Sequence, residues 1–203
     1  MTGATPAEAF RIPLFGVQAL ASAGLDESAT FEALLADVNG LSDESITCAC
    51  RLAGYDSAFR AGPIAYRPVM DITPDGQTID NIRVMVNRAV FFFEKYGPVK
   101  IDGPTFPGGY TDTVSTGDGD FVTEDTLWDF KVSKQKVTPK QTLQILMYYL
   151  LWRRSSNANL VTIENLGLFN PRQNIVYLKS IADISPDVLT EIDLEIIGYN
   201  QAL

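Results

Sequence analysis

Residues 138–154, TPKQTLQILMYYLLWRR, restrict the fold more than any other stretch of the chain. Thr138 suits a helix cap, and Pro139 suits the first helical position, where its missing N–H removes no hydrogen bond. Arg153 and Arg154 suit the negative end of a helix dipole. Between these signals, Leu143, Ile145, Leu146, Met147, Tyr149, Leu150 and Leu151 leave almost no polar face. The pattern predicts a helix from Pro139 to about Arg153 that is covered by other elements. Its polar exceptions, Gln141, Gln144 and Tyr148, fall at i, i+3 and i+7 and line one side. Polar groups on so apolar a helix need partners.

The segment before it, GDGDFVTEDTLWDFK at 117–131, reads as strand, turn and strand. Period-two geometry puts Leu127, Asp129 and Lys131 on one face, and Trp128, Phe130 and Val132 on the other. Asp120, Asp129 and Lys131 therefore crowd together, an arrangement that asks for a cation or a phosphate among them. Asp118 reads as a turn residue beside Gly119.

Three extended pieces are expected at 110–116, 120–124 and 126–133. A helix should precede them, from about Ile79 to Tyr96 with Thr78 as its cap. Ile79, Ile82, Val86, Ala89, Val90 and Phe93 would face a core, with Glu94 at the margin of that face. Downstream, LVTIENLGLF and NIVYLKS flank Asn170-Pro171-Arg172 as an antiparallel hairpin, and a last helix runs from Ser185-Pro186 to Ile197. Residues 26–40 predict a short helix on Phe31, Leu34, Leu35 and Val38. SITCACRL, with Ile46, Cys48, Cys50 and Leu52 alternating, predicts a half-buried strand, and residues 54–77 an irregular stretch with a turn at Pro74-Asp75-Gly76. The fold class is α/β: an extension over 1–75 and a core over 76–203.

Composition narrows the chemistry. The 203-residue chain has no histidine and two cysteines, which excludes Ser-His-Asp and Cys-His catalysis and a conventional four-ligand zinc site. Carboxylates, lysine and a hard cation such as Mg²⁺ or Mn²⁺ are what remain. Cys48 and Cys50 are expected as free thiols in a reducing cytoplasm. No apolar run reaches the roughly 20 residues of a membrane span. The flanks of IPLFGVQALASAG, with Glu8 and Arg11 before it and Gln18 within, argue against a signal peptide. Net charge is −9, yet from Phe130 to Ile163 there is no acid, while Lys131, Lys134, Lys136, Lys140, Arg153 and Arg154 are present. That strip suits a phosphate backbone.

Gly119-Asp120, the Asp-Phe-Lys of 129–131 and the Gln-Ile-Leu-Met-Tyr of 144–148, in that order after a helix with an acid, resemble the PD-(D/E)XK nuclease superfamily, above all its RecB-like and phage-exonuclease branch. The likeness covers about residues 79–180. It implies a restriction-endonuclease-like αβββαβ core, a central mixed sheet flanked by helices, and metal-dependent phosphodiester hydrolysis of nucleic acid, DNA in the first place. It also implies a cytoplasmic, phage- or defence-related setting. By the resemblance, Asp120, Asp129, the Phe130 carbonyl and Glu94 would hold Mg²⁺ or Mn²⁺, while Lys131 handles the attacking water. Gln144 would join the catalytic set, and Tyr148, Gln141, Lys134, Lys136 and Lys140 would touch substrate. The alternative is a catalytically inactive protein of the same fold that binds nucleic acid or a partner protein. The overall acidity implies weak unaided affinity for DNA, so that a second copy or a partner protein presents the substrate.

Overall fold

The computed structural model describes residues 5–201, which divide into two compact units, one extending to Val86 and the other from Asn87 onward. The first is helical: α1 (Pro6–Ala9), α2 (Arg11–Ser22), α3 (Ser28–Ala36), α4 (Asp43–Gly54) and α5 (Asp56–Ala61), followed by two short 3₁₀ turns. Val17, Leu20, Phe31, Leu34, Cys48, Leu52 and Tyr55 form its core. Gly16 is required there, because a Cβ would collide with the Tyr55 carbonyl. The buried Tyr55 hydroxyl donates to Glu27 Oε2 at 3.0 Å, so its polar end is satisfied.

Two readings of this unit are corrected. SITCACRL is helical, within α4, not a strand. The Ser42 hydroxyl accepts from Ser45 N and caps the first turn, and the buried Ser45, Cys48 and Leu52 recur at i, i+3 and i+7. The apparent alternation had included Cys50, which is only half-buried. Both cysteines are free. Residues 56–61, expected as irregular, form α5.

Helix α6 (Gly76–Tyr96) contains the division between the units. Asp75, not Thr78, caps it, with Oδ1 accepting from Thr78 N at 2.7 Å; the expected turn at 74–76 is this cap.

In the second unit, β1 (Ile101–Asp102), β2 (Phe121–Val122), β3 (Thr126–Phe130), β4 (Asn165–Asn170) and β5 (Ile175–Ser180) form one five-stranded sheet in the order β1-β2-β3-β4-β5. Only the β3–β4 step is parallel, and its crossover is α7 (Pro139–Arg154). The result is an α/β mixed sheet flanked by helices, closed by α8 (Pro186–Glu191) and a π-helical turn over Ile192–Ile197. Residues 110–116 form no strand. That segment instead folds on Thr111, whose Oγ1 accepts from Val114 N and donates to the Ile197 carbonyl. The missing strand is β1, only two residues long and therefore without a usable period.

The sheet's two faces pack differently. Leu127, Leu166 and Leu168 meet Ile145, Tyr149 and Leu150 of α7. On the other face, Phe92 stacks on Phe169 with centroids 4.3 Å apart and meets Trp128 edge-on at 4.8 Å. Ala89, Phe92, Phe93 and Tyr96 make up the packed side of this part of α6. Val86 and Val90, expected in a core, are exposed, and the buried stripe is rotated toward Phe92. Among the described residues, no helix is long and apolar enough to cross a membrane.

Candidate active site

The β2–β3 register sets the site. Phe121 pairs with Trp128 and Val122 with Leu127, so one step further Asp120 lies opposite Asp129. Asp118 is not in a turn. It bridges Thr105, and Gly119 N donates to the Pro104 carbonyl, so 118–120 runs extended toward β2. Gly119 is needed for closeness: a Cβ would come within 3.0 Å of Pro104 and 3.2 Å of Leu127.

Asp120 Oδ2 accepts from Phe130 N at 2.5 Å, which ties the end of β2 to the end of β3. Asp129 is buried, 5% exposed, on the α7 face of the sheet. Its Oδ2 lies 2.6 Å from Lys131 Nζ as an ion pair but receives no aligned hydrogen bond. Lys131 Nζ donates to Gln144 Oε1 at 3.0 Å, and Gln144 Nε2 donates to the Tyr148 hydroxyl at 2.8 Å. The Phe106 ring packs against the Tyr148 ring with centroids 5.4 Å apart, and a Cβ at Gly117 would come within 3.3 Å of it. Asp129, Lys131, Gln144 and Tyr148 thus form one connected chain from the end of β3 to α7, with Asp120, just before β2, held beside it by the Phe130 N–H.

Burial pushes the Asp129 carboxyl above its ordinary value, and the Asp120 charge adds to the rise against the pull of Lys131. Asp120 is exposed to solvent, and partial desolvation beside β3 still pushes its carboxyl up; the Phe130 N–H and Lys131 oppose this, while Asp118 and Asp102 reinforce it. Asp102, on β1, had no sequence signal linking it to the site. Burial also raises the Tyr148 hydroxyl. The site holds more negative charge than Lys131 offsets, so a cation there would be stabilised.

Other expected members lie elsewhere. Glu94 is exposed and sits on the opposite side of α6 from the Ala89–Phe92–Phe93–Tyr96 stripe that meets the sheet. The buried stripe of α6 is not centred on Val86 and Val90, and this takes Glu94 off its margin. Gln141 closes the start of α7, its Oε1 accepting from Thr138 N at 2.9 Å, which explains a polar residue there without substrate. Lys134, Lys136 and Lys140 are exposed in and just after the β3–α7 link. Comparison with protein-family models, with curated proteins and with solved structures finds no match to this chain.

Proposed function

We propose that the chain is a divalent-cation-dependent nuclease of the PD-(D/E)XK type, hydrolysing phosphodiester bonds in DNA. The convergence of Asp120 and Asp129 with the Lys131–Gln144 pair carries the reading. The order helix, three strands, helix and strand pair, with its single parallel step, supports a restriction-endonuclease-like core.

The donor set fits Mg²⁺ or Mn²⁺. Two carboxylates and the Phe130 carbonyl are hard oxygen ligands, and Asp129 Oδ2 is buried without an aligned donor. When bound, the cation would offset phosphate charge and lower the pKa of a water. Asp120, Asp129 and the Phe130 carbonyl would hold it, and Glu94 drops out of the ligand set.

Lys131 orients the attacking water and stabilises charge that develops on the phosphate oxygens. Gln144 holds the Lys131 ammonium through Oε1, and Tyr148 holds the Gln144 amide. The water oxygen forms the new bond to phosphorus, the bridging P–O bond breaks, and the departing oxygen gains a proton. Lys134, Lys136 and Lys140, on a strip free of acids, attract the strand's phosphates.

The test is cleavage of linear, circular and single-stranded DNA, and of RNA, with Mg²⁺ or Mn²⁺, alongside identically prepared Lys131→Ala. Cleavage by the wild type alone supports the reading. Equal cleavage by both removes Lys131 from the chemistry, and no cleavage by either leaves a protein that only binds.

A further inference from the structure

Beside the candidate site lies a groove of about 350 Å³, walled by Val114, Thr116, Leu143 and Met147. Gln144 and Tyr148 belong to both the groove and the Asp129–Lys131 cluster, and Lys140 lies one helical turn before Gln144. A phosphate gains little from aliphatic and thioether walls. A nucleobase gains a great deal, because its faces are apolar and its edges polar. The Tyr148 hydroxyl, which accepts from Gln144, keeps its own proton to donate to a base edge. The volume is at the low end of small-ligand sites, room for one nucleoside-sized group and not for a stacked pair. The cation that would balance a neighbouring phosphate is Lys140, on the acid-free strip.

We propose that this groove takes one unstacked nucleobase of the strand whose phosphate lies at Asp120, Asp129 and Lys131. The inference rests on the nuclease reading above and sharpens it. A base inside a duplex must leave its stack to enter such a groove, and a single strand or a frayed end gives up least in doing so. The favoured substrate is therefore single-stranded DNA or an unpaired terminus.

The experiment is fluorescence anisotropy of the full chain, with Ca²⁺ replacing Mg²⁺ to suppress turnover. The probes are a short labelled oligothymidylate, an abasic oligomer with the same number of phosphates, and the oligothymidylate paired with its complement. The single-stranded oligothymidylate is expected to bind roughly five- to a hundredfold more tightly than the abasic oligomer, the range for one base on an aromatic side chain, here Tyr148. It should also bind more tightly than the duplex. Thr116→Trp, a change at an exposed loop position, should fill the groove and bring the oligothymidylate down to the abasic oligomer's affinity. Lys140→Ala should weaken both oligomers alike. Equal affinity for the two oligomers, or a gap that persists in Thr116→Trp, overturns the groove and leaves phosphate recognition standing. Failure of all three probes, the duplex included, to bind at low salt overturns the nuclease reading with it.

Discussion

The two faces of β3 come from alternate residues of one short strand, yet they do opposite things with burial. Toward α6, Trp128 and Phe130 enter an aromatic cluster in which the only side-chain polar atom of the pair, Trp128 Nε1, donates to Thr123 Oγ1 at 2.9 Å. Toward α7, Leu127 joins an apolar core, but Asp129 and, just beyond the strand, Lys131 interrupt it with charge. The first face satisfies every group it hides. The second hides the Asp129 carboxylate against the Lys131 ammonium 2.6 Å away, and burial pushes that carboxyl up. A buried charge lowers stability where it sits, so the α7 face carries a local cost that the α6 face does not, and on the proposed reading that cost belongs to the site.

That contrast can be broken from either side. The largest effect expected is on cleavage: Lys131→Ala should lower the rate by about 10²–10⁴-fold, the range for a positioned acid–base group, as measured under single-turnover conditions. Across the strand, Trp128→Ala should lower stability by about 3–5 kcal/mol in urea unfolding, while the protein that remains folded cleaves at the wild-type rate. If Trp128→Ala reduced cleavage by the folded protein as far as Lys131→Ala does, the two faces would not be separable.

Gly167 sharpens the packing half of the comparison. A Cβ at this position would collide with the Trp128 indole. Gly167→Ala should cost about 1–3 kcal/mol by overpacking, and clearly less in a Trp128→Phe background, where the indole edge is gone. Additive losses in the double variant would mean the contact is not what restricts residue 167.

The electrostatic half is tested by pH without metal. Asp129 has a folded pKa above its ordinary value of 3.8, so the folded protein takes up a proton more readily than the unfolded chain. Its contribution to stability is complete below the unfolded value and is lost as pH rises through the folded one. In EDTA, the melting temperature of wild type should therefore fall relative to Asp129→Asn from about pH 4 toward neutrality. A gap that closes over that range would contradict the assigned cause. The smallest effect expected is at the start of α7: Gln141→Ala should lower stability by about 1 kcal/mol by loss of its cap, and leave cleavage unchanged. A selective loss of cleavage would return Gln141 to the substrate.

Much of this arrangement is legible in the sequence where a local rule and a tertiary need coincide. Thr138-Pro139 announces α7 because capping is decided within one turn. The face assignment of Leu127, Asp129 and Lys131 follows from strand geometry alone, and that Gln144 and Tyr148 have partners follows from the need to satisfy polar groups on an apolar helix, though not which partners. The β4–β5 hairpin is marked by its turn residues.

What was not legible depended on neighbours far along the chain. Ile46, Cys48, Cys50 and Leu52 fit a strand period, but Ser42 and Ser45 close a helix start and the core selects Cys48 over Cys50. Val86 and Val90 have the apolar character of a packed face, and only the position of Phe169 and Trp128 makes Phe92 the centre instead. That rotation is also what turns Glu94 away. Residues 110–116 carry β-forming side chains, but Thr111 spends its hydroxyl on the last helical turn. Asp102 and the groove walls Val114 and Thr116 lie on a two-residue strand and a loop, where periodicity carries no information.

If Asp120 and Asp129 are held together to bind a cation, thermal unfolding should respond to Mn²⁺. At roughly a hundredfold excess over its dissociation constant, a bound ion adds about 2.7 kcal/mol, a rise of several degrees in Tm. That rise is expected in the wild type and should be absent from both Asp120→Asn and Asp129→Asn. A wild type indifferent to Mn²⁺, or an equal rise in the two variants, would contradict cation binding by this pair.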